Sequence, residues 1–331
     1  MNESAYALKP ARKAFSRIGL AFCAILVVAT VTQLLWIIVP TLLWGEDNWF
    51  LTSSWGFWIS SFAPLYGIAI PVGLLIMRKL PAQPPQDNKP RFTIFLVLFP
   101  ICFLMMFVGS LLGNILSALF SGGTAENPVT DYVMDQNPLK VVVIVILAPV
   151  LEEYVCRKQI IDRVGQYGEK TAMILSALIF GLLHQNLFQF FYAFGIGLVL
   201  GYLYIRTGRL RYPIIFHGII NFMGSVIAPW ILTLVNEEAL ANLDPNLPTE
   251  QLIALYREIL PGLLISMAYT FFYLGLAIAG LVLLIVMWRR REFRKTSAQL
   301  PKNTVVKTVY LNVGMVLYVL LCIGAFVLAL L

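Results

Sequence analysis

Charge is scarce in this sequence and histidine scarcer: Asp, Glu, Lys and Arg make up 12% of the 331 residues, and histidine occurs twice. A chain that is 59% hydrophobic with so few charges cannot clothe a soluble globule, and its mean hydropathy of +0.81 places it among integral membrane proteins. Cysteine is sparse too. Cys23, Cys102, Cys156 and Cys322 fall in apolar runs with no CxxC or Cys/His spacing, which excludes a disulfide framework or a zinc ribbon. No HExxH occurs, so a zincin-type site is excluded, and no internal repeat is evident. The net charge of +7 sits in short loops between apolar runs, not on a polar domain, so nucleic acid is not an expected partner.

What the sequence has is long apolar runs. A helix needs roughly 20 residues to cross about 30 Å of hydrocarbon. Runs of that order lie at about 18–44, 53–77, 92–120, 139–163, 171–185, 187–205, 212–235, 261–288 and 308–331. The segment 171–205 is too long for one crossing and is split at Gln185-Asn186. The fold class is therefore all-α, a polytopic transmembrane helix bundle of about 8–9 spans. Three parts are expected: three N-terminal spans in 1–138, a central core in 139–235, and an outer loop with C-terminal spans in 236–331. The stretch at 80–90 reads as an extended Pro-rich connector, and Leu252 to Leu260 as a short amphipathic surface segment.

With the N-terminus cytoplasmic, 22 of the 24 basic residues fall on the inner side, leaving Lys140 and Arg257 outside. The outer loops are acidic. A bacterial plasma-membrane protein is the expectation from the short loops.

Glu152 and Glu153 interrupt a run, LKVVVIVILAPV, that is otherwise fit for lipid. Both histidines, His184 and His217, also fall within or at the rim of spans. An ionisable group at bilayer depth costs on the order of 2.5–3.5 kcal/mol, so each marks a candidate site. Glu153 and Arg157 are four apart and can pair along one helix face, whereas Glu152 points about 100° away. Phe180 and His184 share a face, as do His217 and Asn221. A carboxylate beside an imidazole can deprotonate water, and an imidazole with a carboxamide can donate to an oxyanion. One Glu with two His equally resembles the ligand set of a catalytic zinc site, which would use Glu152, His184 and His217.

Three motifs occur in order: EExxxR at Glu152 to Arg157, FxxxH at Phe180 to His184, and HxxxN at His217 to Asn221. Over about 139–225 the chain thereby resembles the CAAX-processing and bacteriocin-processing intramembrane proteases, the Abi or CPBP family. The resemblance implies an endopeptidase with Glu152 as the water-activating base, helped by His184. His217 and Asn221 would stabilise the oxyanion, and Glu153, Arg157 and Phe180 would support the site. No cofactor is the first expectation, with a divalent metal, zinc, as the alternative; Asn221 suits an oxyanion donor better than a zinc ligand, which favours glutamate. The implied substrate is a peptide or membrane-protein segment, with lipidation left open.

Each residue has a plainer reading. Glu153 and Arg157 could be a snorkelling ion pair, and a lone histidine on an apolar face is more often packed than functional. Two rival functions remain: a proton-coupled transporter with Glu152, His184 and His217 as a relay, and a non-catalytic immunity or scaffold protein. The transporter would be favoured by inverted repeats, and the scaffold by a lost motif residue. Helix counting also sets His184 about 20 Å from Thr171 but His217 only about 9 Å from Arg211. Tilt, or a Glu152 helix running on to about Arg163, would bring them level.

Overall fold

The computed structural model describes residues 3–289 and 293–331, and every regular element among them is a helix. Arg290 and Arg291, two of the residues assigned to the inner face, lie outside the described residues. The main helices are α1 (Glu3–Trp44), α2 (Ser54–Met77), α3 (Phe92–Ser121), α4 (141–164), α5 (Glu169–Leu183), α6 (Leu187–Thr207), α7 (Arg211–Thr233), α8 (Thr249–Trp288) and α9 (Val313–Leu328). Lipid offers backbone groups no partners, so a spanning segment must satisfy them within itself, which a helix does.

Six of these helices are long and apolar enough to cross a membrane, and a seventh arises if α9 is joined to the segment Lys302–Tyr310, from which it bends by 63°. The two remaining expected spans are present as helices but fail for physical reasons. The charged stretch from Glu152 to Arg163 makes α4 too polar, and α5 at 15 residues is about 22 Å long. The break at Gln185-Asn186 is realised: Gln185 takes a left-handed φ of 58°, and Asn186 caps α6 by accepting from the Gln189 backbone N–H. The expected surface segment 252–260 is corrected, because those residues are the opening turns of the 40-residue α8, which runs through Pro261.

Close backbone approaches hold the bundle together. A Cβ on Gly19 would lie 2.3 Å from the carbonyl carbon of Gly314, so α1 and α9 touch backbone to backbone beside the tilted rings of Phe22 and Tyr318. In lipid such contacts matter because helices gain little from excluding hydrocarbon, and small residues let them gain dispersion instead. The last span is thereby joined to the first, and Tyr318 donates to the Ile179 carbonyl of α5.

Hydrogen bonds gather the basic loops at one end. The Gln83 N–H donates to Asp162 O, Asn88 N–H to Thr207 O, Arg163 Nε to Met77 O, and Leu300 N–H to Tyr167 O. The opposite end carries acidic contacts: Ser54 Oγ at 2.5 Å and Trp58 Nε1 at 2.8 Å both donate to Asp135 Oδ2. The Ser54 bond above all holds the Asp135 carboxyl below the usual carboxylate range.

Candidate active site

α4 is not a uniform α-helix. Residues Val141–Leu147 and Tyr154–Gln159 form widened π-helical turns on either side of the α-helical Ala148–Glu153. Such turns are uncommon and recur at functional sites, where they redirect side chains and loosen the backbone ladder. Here the second one carries Arg157 and the first carries Ile144, whose carbonyl accepts a 2.8 Å hydrogen bond from Asn221 Nδ2. Pro149, which has no N–H, lies between them.

Glu153 and Arg157 pair as their spacing predicts. Arg157 Nε lies 2.9 Å from Glu153 Oε2 and Nη2 lies 3.1 Å from Oε1, with both side chains fully buried. The remaining polar capacity is filled as well: Arg157 Nη1 donates to Ser176 Oγ, Ser176 Oγ donates to the Cys156 carbonyl, and the guanidinium lies 4.5 Å over the Phe180 ring. A buried ion pair persists when its lone pairs and protons are used up in this way. Ser176 was not among the expected site residues, although it lies four before Phe180 on the face that carries His184.

Glu152 is differently placed. Its side chain keeps 15% exposure, and one oxygen, Oε1, accepts a 3.0 Å hydrogen bond from Tyr66 on α2. The other, Oε2, lies 3.9 Å from His217 Nε2, beyond hydrogen-bond range. Tyr66 had no spacing signal in the sequence, since nothing in one chain ties a tyrosine of the second helix to a glutamate of the fourth.

The two histidines flank one ring. Phe180 stands edge-on to His184 at 5.1 Å and to His217 at 5.5 Å. His184 closes α5, and its Nδ1 faces the Phe180 carbonyl at 2.8 Å, so that nitrogen carries the proton and a neutral ring presents a bare Nε2. His217 Nδ1 lies 3.1 Å from Glu153 Oε1 and by the same argument is protonated. Histidines held through Nδ1 by a carbonyl or carboxylate are oriented at Nε2, for proton transfer or for ligation.

The run of α4 past Glu152 is close in length to α5 up to His184: it covers 12 residues, about 18 Å, to Val164, against roughly 22 Å for α5. The structure thus brings Glu152, Glu153, Arg157, Phe180, His184 and His217 together. Asn221 lies one turn beyond His217, with its Nδ2 turned to Ile144. Among the described residues no three His, Cys, Asp or Glu side chains converge on a point that could hold a metal ion. An apolar cavity of about 200 Å³ between α3, α6 and α8 is lined by Leu98, Met105, Tyr202 and their neighbours and by none of the motif residues.

The helices and this cluster define a polytopic membrane protein with carboxylates and imidazoles assembled at bilayer depth. Residues 135–223 match the family model described as "Type II CAAX prenyl endopeptidase Rce1-like". The chain is 31% identical over 159 residues to the "Putative membrane peptidase YdiL" of Bacillus subtilis (strain 168), a match covering 45% of this chain and 64% of the relative. It is 30% identical over 170 residues to the "Membrane-embedded CAAX protease MroQ" of Staphylococcus aureus (strain USA300), covering 48% of this chain and 64% of that protein. The chain thus matches just under two thirds of the length of each. No solved structure matches.

Proposed function

We propose that the protein is an intramembrane endopeptidase that hydrolyses a peptide bond with water activated by Glu152. The observation that carries this reading is the sharing-out of polar contacts. Glu153 is used up on Arg157 and His217, whereas Glu152 keeps Oε2 without a hydrogen bond among the described residues, 3.9 Å from His217 Nε2. One oxygen atom can touch both groups at that separation.

The step runs through this chain's own residues. As the water oxygen bonds to the scissile carbonyl carbon, one water proton passes to Glu152 Oε2 and the carbonyl electron pair moves onto oxygen. His184 Nε2 is oriented to assist the same proton transfer. The oxyanion is met by His217, which in this role carries a proton on both nitrogens and lies between Glu152 and Glu153, and by Asn221, whose amide has a second N–H beyond the one given to Ile144. The proton held by Glu152 then passes to the departing nitrogen as the C–N bond breaks. General acid–base help of this kind is worth about 10²- to 10⁴-fold. No step is routed through a metal.

The substrate class is a peptide or membrane-protein segment entering from the bilayer, in keeping with the similarity to a putative membrane peptidase and a membrane-embedded CAAX protease. By the positive-inside bias, the end that carries the basic loops faces the cytoplasm of a bacterial plasma membrane, with the N-terminus on that side.

The test is a quenched-fluorescence peptide library containing farnesylated and unlipidated members, presented to the protein in lipid nanodiscs with and without a chelator. Cleavage that survives the chelator supports the reading, and its loss moves the mechanism to a metal. No cleavage, together with proton-coupled solute uptake in liposomes, replaces the reading with a transporter.

A further inference from the structure

We propose that Tyr66 is a positioning residue for Glu152, fixing Oε1 so that Oε2 is presented to the reacting water; this rests on the peptidase reading above. A glutamate has three rotatable side-chain bonds and, in a site with one wet edge, would otherwise sample several rotamers. Tyr66 removes that freedom with a 3.0 Å O–H donation to one oxygen. The other oxygen is left toward His217, the one direction in which the proposed step needs a base.

The phenol is itself held rigidly. Trp58, Phe62 and Tyr66 recur every four residues on one face of α2, with stacked centroids 5.4 Å apart for Trp58–Phe62 and 5.8 Å for Phe62–Tyr66. Tyr132, from the short helix Val129–Met134, stands edge-on to Phe62 at 5.4 Å, and Trp58 Nε1 is tied to Asp135. An aromatic column therefore runs from the acidic end of the bundle down to Glu152. Tyr66 itself sits in a π-helical turn, Pro64–Ala69, that begins at a proline and sets the register of the phenol. A plainer account holds that a phenol buried in a bundle must donate to something and that Glu152 is the nearest acceptor. The two accounts differ in what loss of the hydroxyl does to turnover.

The experiment compares full-length wild type, Tyr66→Phe and protein carrying fluorotyrosine at position 66, all in nanodiscs. Its substrate is the library peptide that the wild type cleaves fastest. The Phe variant is expected to fold in wild-type yield and to lose about tenfold to a hundredfold in kcat, the range for one hydrogen bond to a charged group, with KM within about twofold. Fluorotyrosine, which keeps the donor, is expected to restore kcat. The infrared carboxylate band assigned to Glu152, by difference against Glu152→Gln, should move in the Phe variant and not in the fluorotyrosine protein beyond the effect of its acidity. A kcat within twofold of wild type, or an unmoved band, overturns the role of Tyr66 and leaves the peptidase reading standing. A wild type that cleaves no peptide overturns the peptidase reading and the role together.

Discussion

Glu152 and Glu153 are neighbours in sequence but belong to two different regions of the site. The face of α4 that holds Glu153 is closed: both charges are fully buried, and the guanidinium is bonded to Glu153 and Ser176 and lies over Phe180. The face that holds Glu152 is open by comparison, with 15% exposure, one donor from Tyr66 and one oxygen that has no hydrogen bond among the described residues. The contrast separates two uses of a carboxylate in lipid. A charge with every partner in place builds the fold, whereas a charge one partner short is available for chemistry. His217 belongs to both regions, with Nδ1 on the closed side and Nε2 on the open side.

The contrast is broken most sharply by Glu152→Gln, which is expected to lower cleavage by about 10³-fold or more, measured per folded molecule, with folded yield unchanged. Arg157→Ala is expected to do the reverse. It takes from the buried Glu153 carboxylate its two-point partner and leaves only the His217 contact, at a cost of about 3–5 kcal/mol, read as loss of folded yield and of thermal stability. Arg157→Lys recovers little of this, because an ammonium cannot reproduce the two-point contact.

Asn221→Leu sharpens the comparison from the chemical side. It removes one oxyanion donor, and kcat is expected to fall about 10²-fold. Ser176→Ala is a smaller effect on the structural side, expected to destabilise by about 1–2 kcal/mol while leaving the turnover of folded molecules unchanged.

The smallest effect lies far from the site, at Asp135. Its carboxyl is held low, first by the Ser54 hydrogen bond, so its contribution to stability is present above the ordinary carboxylate pKa and is lost as pH falls through the depressed folded-state value. Thermal melts across the acid range should therefore show a decline that Asp135→Asn flattens.

Much of this was legible in the sequence, for reasons that differ from element to element. Glu153 and Arg157 could be paired because the i,i+4 rule holds within a helix, including one with a widened turn. The reversal at Gln185-Asn186 could be placed because a 35-residue apolar run exceeds one bilayer crossing. The span count was less readable, since α4 carries too much charge and α5 is too short to meet the usual limits of a crossing helix. Tyr66 was invisible, as a contact between separate helices leaves no trace in one chain. The spacing sets Asn221 on the face of His217, and the structure adds its engagement with the Ile144 carbonyl in a π-helical turn of another helix.

The most direct measurement is the cleavage rate per folded molecule of wild type, Glu152→Gln and Glu153→Gln, side by side in nanodiscs on one fluorogenic peptide. The account predicts that Glu152→Gln folds like wild type and does not cleave, whereas Glu153→Gln folds poorly and what does fold retains measurable cleavage. A Glu152→Gln protein that cleaves at the wild-type rate, or a pair of variants that fail to fold to the same degree, would contradict it.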